Sequence, residues 1–501
     1  MLSRAWTWVT DRFGLTPIWE VTLGRRVPKT PWYFGDGAAL LLLFTVLVAT
    51  GAVMTLTYAP SPDAAYLSVR HITEEQPLGW LVRALHYWAA GFMVVMLVWH
   101  VLRQLLVAGY KSPREGTWLV GVLIFFGIVV MSFTGYLLRW DERAIHAVRV
   151  SLHMFHRVPV IGDALVVFVQ GGEEAGSRLL TRLYSVHVIF TPLLLYGLLG
   201  LHLYLVLFQG TTTPREREEP VATAEEQRAL YKAQKDSEAL GEPFFPDTAF
   251  QSGVMAFTVL ALVVGLAVGV GPAPLYPHAN LVEPSFPVEE WWFWWYSALI
   301  ALLPPAVAPW FVVAFPVALF VAMVALPFVD RSPARGMRRR PFAVVFVIAV
   351  VAALAGLSGL RLRSPWTAWP DPAPPPVPAG VVLSPEAEEG RHLFARFGCN
   401  SCHAVAGQGR QVAVDLARTE RRWSRDEYRR FILKPPDDVA MPRYRGRLTE
   451  GELERLLDYV HAAQTFPRQA RPERPAGGPF NRPPGAGPER PAPGAAEEAS
   501  K

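Results

Sequence analysis

Long apolar runs separated by short polar loops dominate the first 360 positions, at about 38–58, 79–102, 118–138, 185–208, 252–271, 306–328 and 342–360. Each is close to the ~20 residues that cross the hydrocarbon core of a bilayer. The pattern therefore predicts seven transmembrane helices, preceded by an interfacial segment (1–35) with Trp6, Trp8, Trp19, Arg25 and Arg26. After the seventh run the pattern changes. Residues 364–380 hold seven prolines and open a tether that runs to 384. Residues 385–466 are polar with helical periodicity and read as a small soluble domain. Residues 467–501, rich in Pro, Gly and Arg, read as a disordered tail. The predicted fold class is all-α: a seven-helix transmembrane bundle with a C-terminal soluble α-helical domain.

Composition agrees. Only 18% of the 501 residues are charged and 51% are apolar, against about 25% charged in an ordinary soluble domain. That excludes a cytosolic enzyme, a disordered chain and a nucleic-acid binder. The net charge of +5 is a topology signal, because its basic residues sit in particular loops. Arg25, Arg26 and Lys29 precede the first run, Arg103, Lys111 and Arg114 follow the second, and Arg215, Arg217 and Arg228 follow the fourth. Arg331, Arg335 and Arg338 to Arg340 follow the sixth, whereas residues 272–290 contain no Lys or Arg. Only the 139–182 loop, with several Arg among acids, disagrees. This places the N-terminus inside and, after seven crossings, the soluble domain outside.

The two cysteines fall in Cys399-Asn400-Ser401-Cys402-His403. C-x-x-C-H is the attachment signature of a c-type haem: Cys399 and Cys402 hold the porphyrin covalently and His403 supplies one axial nitrogen. A redox dithiol or half a zinc site is the bland alternative, and a zinc site needs two further ligands nearby. Met441 is the one methionine beyond residue 337, and a thioether suits an electron-transfer haem. His392 and His461 are competing sixth ligands.

Four histidines lie inside the predicted spans. His86 and His100 are fourteen apart in span 2, and His187 and His202 fifteen apart in span 4. At 3.6 residues per turn each pair lies roughly on one face, about 21–22 Å apart along the axis. Spans 2 and 4 run the same way, so His86 can meet His187 near the outer side and His100 can meet His202 near the inner side. Two imidazoles from facing helices are what a six-coordinate haem iron needs. Gly37 and Gly51 in span 1, and Gly121 and Gly135 in span 3, repeat the spacing of fourteen; glycine lets a backbone approach a flat ligand closely. Arg83, one turn before His86, can pair with a haem propionate. His71, His146, His153, His156 and His278 fall in outer loops, where solvated or structural roles prevail.

These residues resemble cytochrome b of the quinol–cytochrome c oxidoreductases, in particular the split form of photosynthetic membranes. GYLLRWDE at 135–142, PVIG at 159–162 and TRLYSVH at 181–187 carry the likeness over about 20–210. A subunit IV-like part follows, with Glu289-Glu290-Trp291-Trp292 at the family's Pro-Glu-Trp-Tyr motif. The soluble domain resembles a class I, single-haem cytochrome c, although the usual Gly-Pro-x-Leu is reduced to Asp415-Leu416. The resemblance implies a di-haem four-helix domain (36–210), a cytoplasmic linker (211–250) and a three-helix subunit IV-like domain (251–363). It implies two non-covalent haem b, one covalent haem c and quinol as substrate.

By the same resemblance quinol binds near the outer haem, between GYLLRWDE and Glu290. Glu290 accepts a proton, with Glu289 its rival, and Tyr136, Trp140 and Asp141 shape the pocket. One electron goes through a separate Rieske iron–sulfur protein to haem c, the other through both b haems to an inner quinone, with proton translocation. Both cysteines are committed to haem c, so the iron–sulfur cluster belongs to another chain. The expected setting is a bacterial cytoplasmic membrane and a homodimeric complex that passes electrons to a downstream cytochrome c or terminal oxidase. Departures from the family are Arg139 and Glu289 in place of prolines, Gly35 in place of the cysteine anchoring an extra haem, and Leu207 and Phe208 in place of a basic pair. The alternatives are a di-haem quinone-reactive anchor without bifurcation, opposed by Glu290-Trp291, and a seven-helix transporter or scaffold, opposed by the paired histidines.

Overall fold

The computed structural model describes residues 2–156, 158, 160–172, 176–212, 223–276, 289–304, 307–363, 373–409, 413–418, 423–435, 441, 444–446 and 448–467. The tail from 468, the tether residues 364–372, Arg215, Arg217, Pro159 and His278 lie outside the described residues.

Among the described residues seven helices are long and apolar enough to cross a membrane: Trp32–Thr55, Gly79–Leu106, Glu115–Leu137, Ser177–Gln209, Phe244–Gly269, Trp310–Val329 and Pro341–Leu362, here spans 1 to 7. They coincide with the seven apolar runs. Helices satisfy their own backbone groups, which the bilayer interior demands. The chain divides into two compact units. One comprises Met1–Asp141, Val158–Tyr276 and Val312–Leu354, the other Glu142–Arg157, Pro277–Phe311 and Ala355–Lys501.

In the first unit spans 1 and 2 pack on each other and on span 5, and span 3 packs on span 4. Leu43, Met93, Leu97, Ile128, Leu195 and Val259 form the shared core. Gly35 lies so close to span 5 that a Cβ there would stand 3.0 Å from the Ser252 Cα. The basic residues that signalled topology also tie loops together. Lys111 Nζ donates to Asp330 Oδ1 at 2.9 Å, and Arg114 Nε to the Gly210 carbonyl at 2.9 Å. The N-terminal segment forms helices Leu2–Arg12 and Leu15–Thr22, with Trp8, Phe13 and Trp19 exposed. It is fastened by the strand Arg26–Pro28, which pairs antiparallel with Gly241–Pro243, Arg26 opposite Pro243. His71, read as a loop residue, lies on a short helix, Ala65–Glu74, where its Nδ1 stands 2.7 Å from Glu75 Oε2.

In the second unit the soluble domain has helices at Pro385–Arg396, Arg425–Leu433 and Glu450–Ala463. Ser384, Ser424 and Thr449 cap them, the last two in reciprocal boxes with Glu427 and Glu452. The first and last helices cross at Gly390, where a Cβ would stand 1.9 Å from the Arg455 carbonyl oxygen. Phe394 and Tyr459 meet edge to face beside that crossing, with ring centroids 5.4 Å apart. The unit also holds helix Glu142–His156, which carries His146 and His156.

Candidate functional site

Span 4 is not a regular α-helix. Residues Val186–Phe190 form one π turn around His187, between the helices Ser177–Ser185 and Thr191–Gln209. A π turn takes up one extra residue. It thereby absorbs the fifteenth step between His187 and His202, against the fourteen between His86 and His100.

The His86 and His187 rings stand edge to face, with centroids 6.3 Å apart and planes at 69°. A metal held between two imidazole nitrogens needs a gap of this order. His100 and His202 lie on the same two helices, fourteen and fifteen positions further along. The fold thus brings His86 and His187 together as their spacing predicts, and two imidazoles from neighbouring helices are a donor set that a six-coordinate haem iron can use.

The glycines take part in a specific way. A Cβ on Gly51 would lie 3.3 Å from His86 Cε1, one on Gly121 3.3 Å from His202 Cε1, and one on Gly135 2.5 Å from His187 Cε1. Gly37 differs, with nothing within 4 Å of a Cβ placed there. Sequence reading missed the residues preceding these glycines. Thr50 Oγ1 lies 2.9 Å from His86 Nδ1, and Thr134 Oγ1 lies 3.1 Å from His187 Nδ1. A hydrogen bond on Nδ1 fixes the tautomer that leaves Nε2 for a metal. The repeated Thr-Gly dipeptide was the available signal. Arg83 is buried and donates to the Ala273 carbonyl at 2.7 Å and to Thr73 Oγ1 at 3.3 Å.

Tyr136, at the end of span 3, and Trp140 and Asp141, just after it, are all buried. Trp140 has φ +51°, a left-handed conformation uncommon outside glycine and frequent at functional sites. Arg139 folds over the Tyr136 ring, 4.8 Å from its centroid, and its Nε lies 3.5 Å from Asp141 Oδ2. The Tyr276 amide donates to the same oxygen at 3.4 Å.

Glu290 belongs to the second unit. It is 8% exposed and stands at the N-terminus of the turn Trp291–Phe293, whose Phe293 amide donates to its carbonyl at 2.9 Å. Its rival Glu289 is gripped by Arg361, Nε to Oε1 at 3.0 Å and Nη2 to Oε2 at 2.8 Å. Burial opposes the Glu289 charge, and the Arg361 hydrogen bonds outweigh it, holding the carboxyl below its ordinary range.

Around the C-x-x-C-H turn, His403 Nδ1 faces the Val414 carbonyl at 2.8 Å. Asp415 accepts from the Ala406, Gly407 and Ala417 amides at 2.9, 2.7 and 3.1 Å, so this remnant of the family loop organises the turn. Burial pushes the Cys399 thiol up to about 11 and the Cys402 thiol up to about 12. Met441 and Cys399 pack against the same core cluster. His392 is exposed beside Glu388, and His461 is exposed on the last helix.

Two family models match the chain: "Cytochrome b/b6/petB" over residues 25–210 and "Cytochrome C oxidase, cbb3-type, subunit III" over residues 385–460. The menaquinol:cytochrome c reductase cytochrome b subunit of Bacillus subtilis is 34% identical over 223 residues, covering 43% of this chain and 100% of that protein. Cytochrome b6 of Synechocystis sp. is 37% identical over 213 residues, covering 42% of this chain and 96% of that protein. Among solved structures, "Hyperthermophilic respiratory Complex III" superimposes with a TM-score of 0.61 at 26% identity, over 71% of this chain and 91% of that one.

Proposed function

Since the chain belongs to the cytochrome b/b6 family, with a cytochrome c domain fused to it, we propose that it oxidises membrane quinol and divides the two electrons between two routes. The observation that carries this is the pair of facing histidines, His86 and His187, matched by His100 and His202 on the same two helices.

His86 and His187 hold the iron of an outer haem b, and His100 and His202 that of an inner one. Cys399 and Cys402 hold haem c, with His403 and Met441 on its iron. Bound haem supplies one-electron chemistry. Thr50 and Thr134 orient the outer imidazoles. Gly51, Gly121 and Gly135 give the histidine rings room that a side chain would deny them. Arg83 supplies a positive charge for a propionate.

Quinol gives up two protons with its electrons. Glu290 accepts one, because Glu289 is committed to Arg361. The buried Tyr136, Trp140 and Asp141 give the quinol pocket its shape. One electron leaves through a separate Rieske protein for haem c; the other crosses by way of the two b haems to a quinone at the inner face. Protons are thereby released outside and taken up inside. The N-terminus is cytoplasmic in a bacterial membrane, the cytochrome c domain lies on the outer side, and the proline tether raises its effective concentration there.

The test is spectroscopic. Purified protein is expected to show two b haems per c haem in reduced-minus-oxidised spectra, and quinol is expected to reduce b and c haems in one turnover of the complex with its Rieske protein. One b haem, or none, overturns the ligand reading. Reduction of the b haems alone, with Rieske protein present, overturns the division of electrons.

A further inference from the structure

Three of the four paired histidines settle against a glycine: His86 against Gly51, His187 against Gly135 and His202 against Gly121. His100 is the exception. Gly37, the glycine at the corresponding position, has nothing within 4 Å of a Cβ placed there and is only the second residue of the helix Asp36–Thr55. Beside the His100 ring stands a carboxylate instead. Asp36 Oδ2 lies 3.3 Å from His100 Nδ1, within ion-pair reach though not aligned as a hydrogen bond.

Asp36 is held firmly. It is 0% exposed. Arg103 Nε and Nη2 grip its two oxygens at 2.7 and 2.8 Å, and the Gly37 amide donates to Oδ1 at 2.8 Å. The Arg103 guanidinium lies 4.4 Å from the centroid of the Phe34 ring. This ion pair is two-pronged and stacked on its other side, a geometry that fixes the carboxylate in one place.

We propose that Asp36 is the positioning residue of His100 and that its carboxylate lowers the midpoint potential of the inner b haem relative to a neutral partner. The inference rests on the reading of His100 as an iron ligand. A carboxylate beside Nδ1 raises the basicity of the imidazole. A more basic ligand, next to a negative charge, favours ferric over ferrous iron. The outer histidines meet the neutral hydroxyls of Thr50 and Thr134 instead, so the two b haems are tuned by different chemistry.

The experiment is an equilibrium redox titration, with low-temperature EPR, of the purified complex carrying Asp36→Asn. Expected are an upward shift of one b-haem midpoint, a changed EPR signature of that haem, and an unmoved second b haem and haem c. Asp36→Asn leaves Arg103 unbalanced, so the double variant Asp36→Asn/Arg103→Gln is measured beside it. A shift that persists in the double variant belongs to the carboxylate; a return to the wild-type midpoint overturns the proposal. Two retained b haems with unchanged midpoints and EPR in Asp36→Asn also overturn it. If Asp36→Asn does not accumulate, Asp36→Glu, which moves the carboxylate, is expected to shift the same midpoint by a smaller amount, and no shift refutes the idea. A wild-type sample with fewer than two b haems would break the ligand reading itself, a separable failure.

Discussion

Gly135 and His187 meet so closely that a Cβ on the glycine would stand 2.5 Å from His187 Cε1. Two neighbouring helices, spans 3 and 4, are therefore locked in register by the absence of one side chain. The flanking Thr134 hydroxyl, 3.1 Å from His187 Nδ1, completes that contact. Gly135→Ala is expected to displace the ring and remove about half the b haem, whereas Gly121→Ala, whose Cβ would lie 3.3 Å from His202 Cε1, is expected to lose less. Haem quantification by pyridine haemochrome against protein checks both.

Replacing Glu290 with Gln is expected to slow quinol oxidation by on the order of 10²-fold, the usual worth of a positioned acid–base group. Haem content is expected to stay at the wild-type level. Glu289→Gln is expected to leave the rate much closer to wild type, because Arg361 already occupies that carboxylate. Quinol-driven reduction of haem c in stopped flow separates the two; equal losses would remove the distinction between the neighbours.

The Glu289–Arg361 pair also sets a pH dependence. The folded-state carboxyl titrates below its unfolded value of about 4.3, so its stabilisation is present above that pH and is lost as pH falls through the lower folded-state value. Glu289 keeps 21% of its side chain exposed, so breaking the pair is expected to cost about 1–3 kcal/mol, less than the ~3–5 of a fully buried pair. Thermal melts of Arg361→Gln in detergent should fall below wild type at neutral pH, with the gap closing towards pH 3.

Gly390→Ala tests the soluble domain alone. A Cβ there would stand 1.9 Å from a backbone oxygen of the last helix, which has no flexible end to move aside. The expected result is loss of covalent haem c, read by haem staining on a denaturing gel, with b-haem absorbance retained.

The chain order of apolar runs, the C-x-x-C-H turn and the periodic histidines were legible along one dimension, because each is a local or periodic property of the chain. The starts of spans 4 and 5 each moved eight positions early, to Ser177 and Phe244, because the π turn at Val186–Phe190 joins a polar-faced helix to the apolar run and another, Phe244–Thr248, opens span 5. The turn in span 4 was not legible. A spacing of fifteen says only that a pair is off register, and packing of two neighbouring helices decides where the extra residue is absorbed.

By itself, then, the amino-acid sequence determined an all-helical membrane chain, the candidate haem ligands and the glycine spacing between them. Tertiary structure decided what stands beside three of these candidates: Thr50 beside His86, Thr134 beside His187, and the carboxylate of Asp36 beside His100. It also decided which of two adjacent glutamates is bound to Arg361, 72 positions away. The physical reason is the same throughout. Helical period places a residue on a face of its own helix, but a hydrogen bond or ion pair between distant positions exists only once two helices have packed, and packing is settled by the whole core.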